Sequence, residues 1–153
     1  MKPKKPKINC RDKGIRGERL VIDWLQPIVD ATVAKLGASP VLLQRNTLQS
    51  DVGGIDIVGL RWLAPEVKNC AKDTPAMVEG WWQQACDQAE DGQTPVLFYK
   101  VGRRPFRVRM EGGWGEGMVW NCGPVEINPT QFEAWFTAML EAELQKVGQK
   151  GQA

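Results

Sequence analysis

Gly53-Gly54-Ile55-Asp56-Ile57-Val58, followed after a short interval by Pro65-Glu66-Val67-Lys68, is the stretch on which the reading of this chain turns. Both segments have the apolar, β-branched character of strands, and the turn around Arg61-Trp62 between them is too short for anything but a hairpin-like connection. Gly54 to Leu60 and Ala64 to Asn69 are therefore predicted as two neighbouring strands. Asp56 sits among apolar strand residues, and pairing the two strands brings it beside Glu66. Glu66 and Lys68 are two apart, so they share one face while Val67 points to the other. Two neighbouring carboxylates repel and are costly to bury without compensation. A divalent cation removes that cost, and Mg²⁺ suits carboxylate and carbonyl oxygens, keeps several waters and binds phosphate. The plainer alternative is a surface hairpin with a Glu66–Lys68 side-chain pair, since Glu-x-Lys is a common tripeptide.

A second signal lies upstream. Ile15, Glu18, Ile22, Leu25 and Val29 step by three and four residues, which is one face of a helix, apolar except for Glu18. A glutamate on an inward stripe needs an arginine, backbone donors or a metal. Arg45 is the candidate for an ion pair; an acidic hairpin short of a third carboxylate favours the metal site.

The wider pattern places these motifs. Residues 1–11 are Lys- and Pro-rich and read as a flexible basic arm. Asp12 is a candidate N-cap for a helix from Lys13 to Gln26, interrupted at Pro27 and continued after a kink from Ile28 to Leu36, with Gly37 as terminator. Val41 to Leu43 reads as a strand ending near Arg45, and Asn46 to Gly53 as a polar loop. Pro75 to Asp91 reads as a helix, Pro95 to Val101 as a buried strand, and Phe106 to Met110 as its basic partner. Gly112 to Gly117 is a glycine-rich loop; Met118 to Asn121 and Val125 to Ile127 are short strand candidates. The last helix is marked by Pro129, a Thr130-x-x-Glu133 capping box and apolar residues at helical spacing from Phe132 to Val147, and it reads as packed on the core, with a dimer contact as the second choice. Without the two short strand candidates the order is α-β-β-β-α-β-β-α, a mixed α/β class. The division is a basic arm at 1–11, a single domain at 12–147 and a tail at 148–153.

Composition narrows the chemistry. The 153 residues suit one domain, and no apolar run is long enough for a transmembrane helix. The basic N-terminus lacks the apolar segment of a signal peptide, so a cytoplasmic protein is expected. There is no histidine, which excludes Ser-His-Asp and Cys-His catalysis and histidine metal sites. Cys10, Cys70, Cys86 and Cys122 form no CxxC pair and read as buried or incidental thiols rather than a zinc site. The formal net charge of +2 hides an asymmetry: residues 1–19 carry +6 and residues 100–109 carry +5, leaving −9 on the rest. Each basic segment alone reads as solvated charge, but two on an acidic body suggest a polyanion, namely nucleic acid. Arg107 and Arg109 fall on one face of their strand. Of the adjacent Trp81 and Trp82, one is expected in the core and the other at an interface or stacked on DNA; Gln84 reads as a solvent-facing residue.

Lys13-Gly14-x-x-Gly17-Glu18-Arg19, then Arg45, Gly54-Ile55-Asp56 and Glu66-Val67-Lys68, resembles the PD-(D/E)XK nuclease superfamily. Order and spacing are most similar to archaeal-type Holliday junction resolvases, including those carried by phages. The likeness extends through Thr94–Tyr99 and Arg104–Val108, covering roughly residues 12–110; the segment from Glu111 onward departs from the family, and its Gly- and Trp-rich loop could alter substrate choice. The resemblance implies a restriction-endonuclease-like mixed sheet flanked by helices and a Mg²⁺-dependent endonuclease, with Mn²⁺ as a substitute, that resolves four-way DNA junctions by paired nicks. It implies that Asp56, Glu66 and the Val67 carbonyl are metal ligands, that Glu18 completes the acidic site, and that Lys68 orients water and stabilises the transition state. Arg16 and Arg45 would contact phosphate near the scissile bond, and Ser50 is the nearest counterpart of a serine that the family carries before the aspartate. Lys13, Arg19, Arg103, Arg104, Arg107 and Arg109 complete the expected DNA surface. Expected partners are branched DNA and a second copy of the chain, with no membrane and no organic cofactor, in a bacterial or phage-infected cytoplasm. The alternatives are a nuclease of this superfamily with another DNA substrate, as in restriction or nicking, and a non-catalytic DNA-binding module of the same fold. In the wider superfamily, some nucleases place a glutamine behind the metal ligands, where Gln84 falls.

Overall fold

The structure, a computed structural model, describes residues 10–48, 54–112 and 123–150, the side chains of 149 and 150 excepted. Ser50 and most of the glycine-rich loop, with Met118 to Asn121 and Cys122, lie outside the described residues. The order is α1 (Cys10–Leu36), β1 (Gln44–Arg45), β2 (Ile57–Val58), β3 (Leu63–Cys70), α2 (Pro75–Gln88), β4 (Thr94–Val101), β5 (Arg107–Glu111), β6 (Pro124–Ile127) and α3 (Pro129–Lys150). This is a single α/β domain. β3 to β6 form a mixed sheet in chain order, with β3 parallel to β4 and the other pairs antiparallel, while β1 and β2 make a separate two-stranded antiparallel ladder. The parallel pair needs a crossover, and α2 supplies it.

Strand alternation divides the core. Val67, Val96, Phe98, Val108 and Met110 face α1 and α3, where they meet Val21, Leu25, Val29, Phe132, Phe136 and Leu140. Leu97 and Tyr99 face α2 and meet Val78, Trp82 and Ala85. Trp24 joins α1 to α3 by donating from Nε1 to Glu133 at 2.7 Å.

Four expectations change. First, α1 runs unbroken through Pro27. An interior proline costs a backbone hydrogen bond, about 3 kcal/mol, but Leu25 on one side and Val29, Thr32 and Val33 on the other are all buried and hold the helix on the sheet. Second, Val41 to Leu43 is not a strand. The Gln26 side chain takes up its backbone, donating to the Val41 carbonyl at 2.9 Å and accepting from the Leu43 amide at 2.8 Å. Third, only Ile57–Val58 of the Gly54–Leu60 segment is laddered. It ends at Gly59, whose φ of +129° and tight approach to the Leu42 carbonyl exclude a side chain. Fourth, the capping box of α3 is Asn128–Gln131, not Thr130–Glu133. Asn128 Oδ1 accepts from the Gln131 amide at 2.8 Å and Gln131 Oε1 accepts from the Asn128 amide at 3.0 Å.

Smaller boundaries also move. α1 takes in the last two residues of the expected arm, α3 runs three residues into the expected tail, and α2 stops at Gln88 because Ala89 turns extended. The start of α2 is capped by Thr74, whose hydroxyl accepts from the Met77 amide at 3.2 Å ahead of Pro75. Val125 to Ile127 is strand, within β6.

Candidate functional site

β3 carries the centre of the site. Glu66 and Lys68 lie on its α2-facing side, level with Leu97 and Tyr99 of β4. Glu66 is 1% exposed and Asp56 5% exposed, the only buried carboxylates among the described residues. Asp56 is fixed to the free edge of β3: its amide donates to the Pro65 carbonyl at 3.0 Å, and its Oδ2 accepts from the Val67 amide at 2.6 Å. In a strand the N–H and C=O of one residue point to the same side, so the Val67 carbonyl also lies on the Asp56 edge. The Asp56 and Glu66 carboxyls lie close enough to interact. Burial, and then the Asp56 charge, push the Glu66 carboxyl up to about 7, while Lys68 pulls it down. Lys68 Nζ meets Glu66 Oε1 at 2.5 Å.

Behind this pair stands α2. Gln84 accepts from Lys68 Nζ at 3.0 Å rather than facing solvent. Trp82 is the core member of the tryptophan pair, and Trp81 packs on Tyr99 with ring centroids 6.0 Å apart.

The stripe of α1 that reaches the core is Gly17, Val21, Leu25 and Val29; Leu25 and Val29 are as predicted, while Gly17 and Val21 take the places expected for Glu18 and Ile22. Gly17 is there because α1 closes tightly on β3: a Cβ at this position would lie 2.9 Å from Asn69 Cβ and 3.3 Å from Val67 Cγ1. Asn69 fastens the same crossing by donating to the Lys13 carbonyl at 3.0 Å. Glu18 then falls beside the stripe and pairs with Arg45 Nε at 2.5 Å, the side chains being 12% and 25% exposed. The two line an open cleft of about 320 Å³ with Arg11, Gly14, Ile15, Asn46 and Thr47. That cleft adjoins Asp56 through Asn46, whose amide donates to the Asp56 carbonyl at 2.8 Å. Among the described residues no three acidic or cysteine side chains gather where they could hold a metal ion by themselves.

The basic residues separate into two groups. Arg107 and Arg109 share one face, as predicted, but that face is the α2 side and acids lie across from them. Arg107 meets Glu126 at 2.6 Å and Asp73 at 3.9 Å, and Arg109 meets Glu79 at 2.8 Å. Tyr99 also hydrogen-bonds Glu126. Arg103 and Arg104, exposed on the turn between β4 and β5, form no ion pair among the described residues, and neither do Lys13, Arg16 and Arg19 on the first turns of α1. Cys10, Cys70 and Cys86 are free thiols; burial raises the last two, and only Cys10 is fully exposed. No helix among the described residues is long and apolar enough to cross a membrane.

Asn46, Asn69 and Gln88 are the site residues that the sequence reading passed over. The four-residue spacing of Gln84 and Gln88, which puts both on one face of α2, was the available signal for the last. Family models, curated proteins and solved structures contain no match to this chain.

Proposed function

We propose that this protein is a divalent-cation-dependent DNA endonuclease with a restriction-endonuclease-like fold, acting on four-way junctions. The observation that carries the reading is the buried Asp56–Glu66 pair on the edge of β3, with Lys68 against Glu66. Two carboxylates so close in a poorly solvated place are costly to ionise together, and the raised Glu66 carboxyl registers that cost. All donors are hard oxygens, which fits Mg²⁺, an ion commonly held by only one or two carboxylates together with water and substrate phosphate. Asp56, Glu66 and the Val67 carbonyl would hold it; Mn²⁺ fits the same donors. When bound, such an ion would supply Lewis-acid chemistry to the scissile phosphate and to water.

The chain's own residues supply the rest. Lys68 has three N–H donors, of which Glu66 and Gln84 take two, leaving one for the attacking water or a phosphate oxygen. Arg45, held by Glu18 at the cleft beside Asp56, and Arg16 on the adjoining turns of α1 bind backbone phosphates and set the strand against Lys68. In this arrangement Glu18 serves through Arg45. A homodimer would present two equivalent sites to the two opposed strands of a junction.

The deciding experiment is a panel of four-way, flap and linear duplex DNA in Mg²⁺, with Ca²⁺ as a binding-only control and Asp56→Asn beside the wild type. Paired nicks confined to the four-way junction and lost in Asp56→Asn are expected. Equal cutting of linear duplex removes the junction assignment, and binding without cutting in Mg²⁺ or Mn²⁺ removes the enzyme.

A further inference from the structure

Gln88 lies one turn beyond Gln84 on α2 and meets the acidic pair from behind. With its amide nitrogen turned toward the surrounding acceptors, Nε2 donates to Glu66 Oε2 at 2.7 Å and to the Gly54 carbonyl at 3.2 Å, and Oε1 accepts from Gln84 Nε2 at 3.1 Å. Gln84 in turn accepts from Lys68, and Lys68 closes on the other oxygen of Glu66. Glu66, Gln88, Gln84 and Lys68 thus form a ring; Glu66 meets Asp56 itself, and Gln88 reaches the backbone of the segment leading into Asp56.

That segment meets β3 at Asp56, through the amide to Pro65 and the carboxylate to the Val67 amide, while β2 itself is laddered to β1. The carbonyls just before Asp56 are held from two sides: Gly54 by Gln88 and Ile55 by Asn46 Nδ2 at 2.9 Å. Once Glu66 loses its proton, near pH 7, repulsion between it and Asp56 pushes the two segments apart. A neutral amide that donates to both draws them together without adding charge.

We propose that Gln88 is a positioning residue that ties the Asp56 segment to Glu66 and so sets the separation of the two carboxylates and the divalent-cation affinity of the site. The affinity part rests on the cation reading given above; the brace itself does not.

The test uses the full chain with Gln88→Leu, which removes both donors, and Gln88→Asn, which keeps the amide but is one methylene too short to span the two acceptors. Gln83→Leu is the control, an exposed neighbour whose amide bonds only Glu79 among the described residues. Mn²⁺ affinity is measured by calorimetry, and exchange of the Val67 amide, which reports the Asp56 bond, by NMR in metal-free buffer. Both Gln88 variants should bind Mn²⁺ about 10- to 100-fold more weakly. Their Val67 amide should exchange about tenfold faster, the size of one lost hydrogen bond, while Gln83→Leu changes neither. Unchanged Mn²⁺ affinity and unchanged Val67 protection in whichever Gln88 variant folds would overturn the proposal. If the wild type itself binds no Mn²⁺, the cation reading falls, and Val67 exchange alone upholds or overturns the brace.

Discussion

Glu66 and Lys68, two residues apart on β3, form an ion pair of 2.5 Å in which the carboxylate is 1% exposed and the ammonium keeps partial access to solvent. The pair is asymmetric because Asp56 adds a second negative charge on the buried side. Lys68 lowers the Glu66 carboxyl, but burial and Asp56 outweigh it. In the metal-free protein Glu66 therefore holds its proton to about pH 7.

The first prediction follows from that proton. Glu66 titrates near 4.5 when unfolded and near 7 when folded, so between these values the folded state binds one proton more. Stability attributable to Glu66 is complete below about pH 4.5 and falls as pH rises toward 7, by up to about 1.4 kcal/mol per pH unit. Denaturant melts of the wild type and Glu66→Gln across this range, in chelator, should show a difference in stability that grows with pH in favour of the glutamine. A pH-independent difference refutes the raised carboxyl.

The Glu18–Arg45 pair is largely but not fully shielded, so its loss should cost between the values for exposed and buried pairs, about 1–3 kcal/mol. Glu18→Gln and Arg45→Gln, with their double variant, should show coupling of that sign in thermal melts. If Glu18 works through Arg45, both single variants raise the DNA concentration needed for half-maximal cleavage more than they lower turnover. Loss of turnover at saturating DNA in Glu18→Gln alone would instead make the carboxylate a direct participant.

Arg103 and Arg104 should contribute more to DNA affinity than Arg107 and Arg109. The latter two already have acidic partners, so bringing them to phosphate exchanges one anion for another and releases fewer counterions. Replacing Arg103 and Arg104 with alanine should reduce the slope of log affinity against log salt by about 0.9 per arginine that contacts phosphate on duplex arms. The same change at Arg107 and Arg109 should have a smaller effect on the slope. Equal slopes for the two double variants would show that the ion pairs open on binding.

The two glycines at the start of α1 should respond oppositely to alanine. Nothing lies within 4 Å of a Cβ at Gly14, so Gly14→Ala gains helix propensity, about 0.5–1 kcal/mol. At Gly17 the new methyl meets Asn69 Cβ, close to the β3 backbone and unable to swing away. Gly17→Ala should therefore destabilise by about 1–3 kcal/mol. Thermal melts of the two variants check both signs.

The sequence by itself determined what depends on periodicity and local chemistry. The Glu66-x-Lys68 alternation, the Pro95–Val101 strand and the existence of the three helices are each specified within a few residues; the strand around Asp56 is not, since only Ile57–Val58 is laddered, to Gln44–Arg45 and not to the Glu66 strand. Tertiary structure decided what depends on a partner far along the chain. The first turns of α1 are set by Gly17 closing on Asn69, which leaves Glu18 beside the core stripe and against Arg45, while Leu25 and Val29 stay in the core as the periodicity predicts. Arg107 and Arg109 look like free basic charge until β6 and α2 bring Glu126 and Glu79 against them. Gln88 is one polar helix residue among several until α2 lies over β3 and the amide finds Glu66 and Gly54 together. The physical reason is common to all three: whether a charge or an amide is solvated, neutralised or bridging is a property of the groups within a few ångströms, and chain separation says nothing about which groups those are.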